Sequence, residues 1–247
     1  MQSLYAPFII PQAPVSSPKT LTFGIDELDN LLGALEPSDF IVLHGSQMCH
    51  DLSELLCVRS QLPCAEGGLD SSVVFIDGGN LFDPYLISEN ARLVGLESEQ
   101  TLRNIWISRA FTSYQLVSLI TERLRPFLDQ KKSRFVVISD IAALFCDSDI
   151  GMFEAKRIFN RVTLFLWNLA KERDIILAVT SLSSRSKRKR RLEEYLLGRA
   201  DIVVGVEAGN PHVKIALEKH PSVPLMSARL FSADPRTQPT IEDFLEV

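Results

Sequence analysis

The sequence predicts an α/β fold: a mostly parallel twisted sheet with helices on both faces, closed by antiparallel strands at its C-terminal end. Three observations carry this. Short β-branched runs alternate with stretches of helical apolar spacing. The runs are apolar at nearly every position, the pattern of strands buried on both faces. After Ala200 the helical stretches stop and three strand-like runs follow one another.

Residues 1–20 hold Pro7, Pro11, Pro14 and Pro18, too many for a helix or a central strand. They predict an extended arm ahead of one core domain spanning 21–247. Strands are expected at 40–43, 73–76, 135–139 and 175–180. A helix is expected over 53–62. In 113–128, Leu116, Leu119, Ile120, Leu124, Phe127 and Leu128 fall at helical spacing, as Ile158, Val162, Phe165 and Leu169 do in 153–173. Trp106 and Trp167, in a strand and a helix, are expected in the core. The runs 202–206, 213–217 and 225–231, joined by Gly209-Asn210-Pro211 and His220-Pro221, are expected to pair antiparallel. No internal repeat is visible.

The chain has 247 residues, of which 46% are hydrophobic and 23% charged, ample for a packed core. The longest apolar run, 141–146, is far below the ~18 residues of a membrane span. With no charge before Lys19 and no long apolar stretch, the N-terminus does not read as a signal peptide. Cys49, Cys57, Cys64 and Cys146 form no CxxC pair and read as reduced small hydrophobes of a cytoplasmic, nucleoid or nuclear protein. The net charge is −5, but Arg185, Lys187, Arg188, Lys189, Arg190 and Arg191 crowd into seven positions. With those six set aside from the 26 basic residues, acidic residues outnumber basic ones 31 to 20. An acidic body thus carries one basic patch, read as a loop.

The run 40–43 leads into Gly45-Ser46-Gln47-Met48-Cys49-His50-Asp51-Leu52, the setting in which a phosphate-binding GxxxxGK[ST] loop occurs. Only its first glycine, Gly45, is present. His50 stands at the second glycine, Asp51 at the lysine and Leu52 at the magnesium-binding hydroxyl. A carboxylate in place of the cation repels a triphosphate, with like charges ~4 Å apart worth ~4 kcal/mol at an effective dielectric of ~20. His44, Cys49, His50 and Cys57 match no tetrahedral metal spacing, and no GxSxG elbow supports a hydrolase.

Five segments in order resemble the RecA/RadA-type recombinases and their KaiC-like relatives. Residues 21–33 (LTFGIDELDNLLG) resemble "TGxxELDxLLGGG", and 75–84 (FIDGGNLFDP) resemble "YIDTEGTFRP". Residues 104–115 (NIWISRAFTSYQ) resemble "NIxxARAFNxDHQ", and 134–145 (RFVVISDIAALF) resemble the Walker B strand "xLLIVDSLTALF". Residues 169–181 (LAKERDIILAVTS) resemble "LADEFxVAVVITN". The resemblance implies a RecA-like core. It places the catalytic glutamate on Gly79 and the polar sensor on Leu182, and leaves Asp140 as the Walker B aspartate. With no lysine or metal hydroxyl beside it, Asp140 is expected to serve as a helix N-cap or a buried hydrogen-bonding group.

The implied protein is a non-catalytic paralogue, a pseudo-ATPase without nucleotide or metal cofactor, assisting recombination or repair. The run 185–191 sits where the family places its second DNA loop. It reads as a contact for DNA, non-specific and single-stranded, as an inert solvated loop, or as a nuclear import signal. The counterpart of the first DNA loop, 146–151, is acidic and lacks arginine. The implied partner is a related RecA-like ATPase or paralogue subunit, met through Leu4, Tyr5, Phe8, Ile9 and Ile10 of the arm. The family's arm carries "FxxA", whose alanine is missing after Phe8, and a free tail or an arm folded on its own sheet remain open readings. The alternative function is a KaiC-like regulatory module that binds proteins and no nucleic acid; an active ATPase with a rebuilt site is a third.

Overall fold

The structure, a computed structural model, describes residues 19–146, 150–209 and 212–231. Its centre is an eight-stranded sheet in the order β3-β2-β4-β5-β1-β6-β7-β8. The strands are β1 (Phe40–Gly45), β2 (Val73–Asp77), β3 (Ile105–Arg109), β4 (Phe135–Ser139), β5 (Ile176–Leu182), β6 (Ile202–Glu207), β7 (His212–Lys219) and β8 (Ser227–Phe231). The six strands β1 to β6 are parallel to their neighbours, and β7 and β8 add antiparallel. The expectation that 202–206 pairs antiparallel is thus corrected on one side: β6 lies parallel to β1, with Ile41 opposite Ile202, and meets only β7 antiparallel. The intervening helix brings the chain back to the start of the sheet, as parallel pairing requires.

Side chains alternate across the sheet and fill two cores. On one face, Ile41, Leu43, Phe75, Val137, Ala178 and Val204 pack with helices α1 (Asp26–Leu32), α2 (Met48–Arg59) and α3 (Pro84–Leu93). On the other, Phe40, Val42, Ile76, Ile138, Leu177 and Val179 meet α5 (Ser113–Ser118), α6 (Leu124–Lys131), α7 (Met152–Arg173) and α8 (Lys187–Arg199). The short α4 (Ser98–Arg103) leads into β3. Burying a Val, Leu, Ile or Phe side chain is worth about 1.5–3 kcal/mol, so this alternation sets the register.

Local signals fix the helix starts. The Asp29 carboxylate takes the N–H groups of Phe23 and Gly24. Asp83 caps α3 through Tyr85 and Leu86, with Pro84 in the first turn, and Thr112 caps α5. The stretch expected as one helix over 113–128 contains a π turn, Leu119–Arg123, between α5 and α6. Pro126 has no N–H to give four residues back and crowds that carbonyl, so the preceding turn widens.

Trp106 departs from the core assignment, and Trp167 meets it in part, packing against the core from its rim. Trp106 lies on β3, the edge strand, and is 38% exposed with the Lys131 ammonium over its ring. Trp167 is half-buried, its indole N–H donated to Asp201. Both rings sit where the sheet or the helix pair meets solvent. Among the described residues no helix is long and apolar enough to cross a membrane.

Candidate functional site

β1, β2, β4 and β5 end together at the carboxyl edge of the sheet, where open parallel sheets bind ligands. Gly45 ends β1 with φ +124°, a conformation for glycine, and a Cβ there would collide with the Val206 carbonyl. Ser46 N–H donates to the same carbonyl at 2.8 Å. Only Ser46 and Gln47 separate β1 from α2, so the helix expected from 53 begins at Met48. The reason is local: no glycine interrupts 48–59, and Asp51 places an acid in the first turn, where the helix dipole favours it. The wide loop that wraps phosphates in the GxxxxGK[ST] template is replaced by helix.

Two of the three residues at the template's key positions, His50 and Leu52, are buried in the protein. Leu52 is buried in the core, and Asp51 is half-buried on the first turn. His50 is 1% exposed; its Nε2 donates to the Leu81 carbonyl at 2.7 Å and lies 3.2 Å from Glu54 Oε1. Glu54, fully buried, also accepts from Asp83 N–H at 2.7 Å. Burial lowers the His50 pKa, but the Glu54 carboxylate and the Leu81 carbonyl outweigh it and hold it above the ordinary value. Burial raises Glu54 more than His50 and the Asp83 N–H lower it.

Across the edge, Asp77 ends β2. Its Oδ1 takes Ser139 Oγ–H at 2.7 Å and Leu81 N–H at 3.0 Å, and Arg109 pairs with Oδ2 at 3.0 Å. Burial pushes the Asp77 carboxyl up, yet these donors hold it below the usual carboxylate range. A Cβ on Gly79 would lie 2.8 Å from Leu81 Cδ1 and 2.9 Å from Asp140 Cβ, so this position has no room for a glutamate without rearrangement.

Asp140 follows β4 with φ 37°. Its N–H donates to Thr180 Oγ1, and its Oδ1 accepts Leu182 N–H at 3.1 Å. The Lys189 ammonium lies 2.6 Å from Oδ1 and 2.8 Å from Oδ2. Asp140 is therefore a buried hydrogen-bonding group, and both its oxygens are taken by protein donors. The neighbouring cleft between β1, β6 and β7, about 410 Å³, is lined by His44, Glu207, Lys214 and Glu218. Lys214 is paired with Glu207, and His44 with Glu218. A magnesium triphosphate does not fit this donor set: the loop offers no cation, and the surviving aspartate already holds one.

The basic run is not a loop. Ser186 caps α8 through Lys189 N–H, and Leu192 and Leu196 bury the helix's inner face. Lys189, 7% exposed, belongs to that inner face. Arg188 donates from Nε to the Phe145 carbonyl at 2.7 Å and from Nη2 to the Ile150 carbonyl at 2.6 Å. Of the six cations, Arg185, Lys187, Arg190 and Arg191 are exposed. The reading of Lys189 and Arg188 as nucleic-acid contacts is thus corrected, because the Lys189 ammonium is held by Asp140 and the Arg188 guanidinium by two backbone carbonyls. For Lys189 the signal was present, because Lys189, Leu192 and Leu196 share one helical face. Arg109 and Glu54 were not singled out from sequence. The partner-binding candidates Leu4, Tyr5, Phe8, Ile9 and Ile10 lie outside the described residues, as do 147–149 of the acidic segment.

A family model described as Rad51 matches residues 18–187. The match spans β1 to β5, with every residue of the carboxyl-edge constellation above except Lys189 and those on β6 and β7.

Proposed function

The chain belongs to the Rad51 family of RecA-like recombinases, proteins of DNA recombination and repair, and from that premise we propose that it is a non-catalytic accessory member. It binds DNA through the exposed cations of α8 and works beside a related ATPase subunit. The observation that carries this reading is the Lys189 ammonium on Asp140, the one acid of the family's metal site that the sequence keeps. A magnesium ion at Asp140 must first displace a buried lysine, at the cost of leaving that charge unpaired. Asp51, Leu52 and Gly79 support the same reading, since phosphoryl transfer rests on cations and a placed water that these residues do not supply.

Partner binding draws support from β3. This edge strand exposes every residue after Ile105 and presents unpaired backbone groups to an added strand. Calorimetric titration with Mg·ATP tests the catalytic half of the proposal. No saturable heat is expected up to about 1 mM, the upper end of ordinary substrate affinities. Micromolar binding that disappears in Asp51→Ala or His50→Ala overturns it.

A further inference from the structure

We propose that the outward faces of α7 and α8 form one continuous cationic surface that binds the phosphate backbone of duplex DNA. The proposal rests on the reading of α8 as a DNA contact and extends the site to a second helix. Two hydrogen bonds fix how the helices lie. Arg188 reaches the Ile150 carbonyl at the start of α7, and farther along Arg199 donates to Asn160 Oδ1 at 3.3 Å. Start meets start and later meets later, so the two helices run side by side in the same direction.

On α7, Arg157 and Arg161 are exposed, one turn apart. On α8, Lys187, Arg190 and Arg191 are exposed, opposite the buried Lys189, Leu192 and Leu196. None of these five makes an ion pair with a described residue, whereas Arg103, Arg109, Arg125, Lys171 and Arg173 all do. Glu154 and Glu194 are the exposed carboxylates of α7's first half and α8, so cations dominate the surface.

Its shape selects the ligand. Proteins that hold single strands use a groove with stacking aromatics. Phe153 at the start of α7 and Tyr195 on α8 are exposed aromatics, but the seam between the helices is closed by side-chain packing and the Arg199–Asn160 bond, so there is no groove to thread a strand between them. Two rows of cations on helices about 8–10 Å apart, spaced about 6 Å along each, are commensurate with phosphate rows on either side of a minor groove about 6 Å wide.

Fluorescence anisotropy with a short random-sequence duplex and with oligo-dT, at several salt concentrations, tests this. Five neutralised phosphates predict a slope of log K against log[salt] of about −4.5 on the duplex. Arg157→Ala/Arg161→Ala should reduce that slope by about 1.8, making duplex affinity about tenfold less sensitive to salt between about 50 and 200 mM. Its effect on oligo-dT should be smaller. Both substitutions are on exposed residues, and an unchanged melting temperature establishes folding. If that variant binds duplex as the parent does while Lys187→Ala/Arg190→Ala/Arg191→Ala weakens it, the two-helix surface is overturned and the α8 contact stands. If neither variant weakens binding, both readings fall. Equal losses on duplex and oligo-dT overturn the duplex assignment, and binding of polyglutamate in preference to either nucleic acid overturns the ligand class.

Discussion

The Lys189 ammonium sits within 2.8 Å of both carboxylate oxygens of Asp140, and the two side chains are each 9% exposed. A pair so buried is strong evidence of fixed geometry and weak evidence of net stability. It pins α8 to the end of β4, while Arg188 pins it to the segment before α7. Lys189→Met should destabilise the protein by about 3–5 kcal/mol, because it strands the Asp140 carboxylate. Lys189→Met/Asp140→Asn should recover most of that loss. Urea denaturation of the two variants checks the coupling. A loss below about 1 kcal/mol in the single variant would show that the charge finds solvent and that α8 is not held there.

Restoring the family's glutamate should harm rather than revive the protein. Gly79 faces Asp140 Cβ, which cannot move without breaking the Lys189 pair, and Leu81 Cδ1, which can. Gly79→Ala should cost about 1–3 kcal/mol as an overpacking change, and Gly79→Glu more. Thermal melts of both variants read this directly. A Gly79→Glu protein as stable as its parent contradicts the packing account.

How far the sequence reveals these features depends on which forces act over short range. The strand 135–139 was legible residue by residue, since Phe135 to Ser139 are buried on both faces and bounded by polar residues. The burial of Leu52 and the crowding around Gly79 were not legible, because the motif and the resemblance name positions and not the side chains packed against them. Nor was the Asp77–Arg109 pair, because its members are 32 residues apart and meet only when β3 docks on β2 with Asp77 opposite Arg109. The start of α2 was misplaced because the template imposed a loop where the residues themselves favour helix. Lys189 was hidden by its five cationic neighbours: a charge run reads as solvated, although one helical face of it continues into Leu192 and Leu196.

The His50–Glu54 pair predicts a pH dependence of definite sign. Both groups have folded-state pKa values above their ordinary ones, 6.5 and 4.5. The folded protein then holds more protons than the unfolded one, and stability falls as pH rises. The His50 contribution is complete below 6.5 and is lost as pH climbs through the raised value. In Glu54→Gln the imidazole keeps its burial and loses its carboxylate, so this contribution disappears or reverses. The stability gap between parent and Glu54→Gln should therefore narrow from about pH 5 to about pH 8. A gap constant across that range would show that His50 does not titrate against Glu54.

The arm provides the test of partnership. In Leu4, Tyr5, Phe8, Ile9 and Ile10 five large apolar side chains share a sequence segment with Pro7 and Pro11, residues unfavourable in a helix or a central strand. Leu21, the first residue bridged to the described fold, pairs with Leu35 through both backbone bonds and is fully buried. The fold is thus anchored downstream of residue 18. Deleting residues 1–18 should shift the melting temperature by less than about 2 °C, the equivalent of under ~1 kcal/mol for a chain of this size. The same deletion should abolish co-purification with a related ATPase subunit, and a synthetic peptide of residues 1–18 should compete with the full chain for that subunit. A fall of several degrees with partner binding intact would instead assign the arm to this protein's own sheet, with the exposed edge at Trp106 and Ile107 as the surface it would cover.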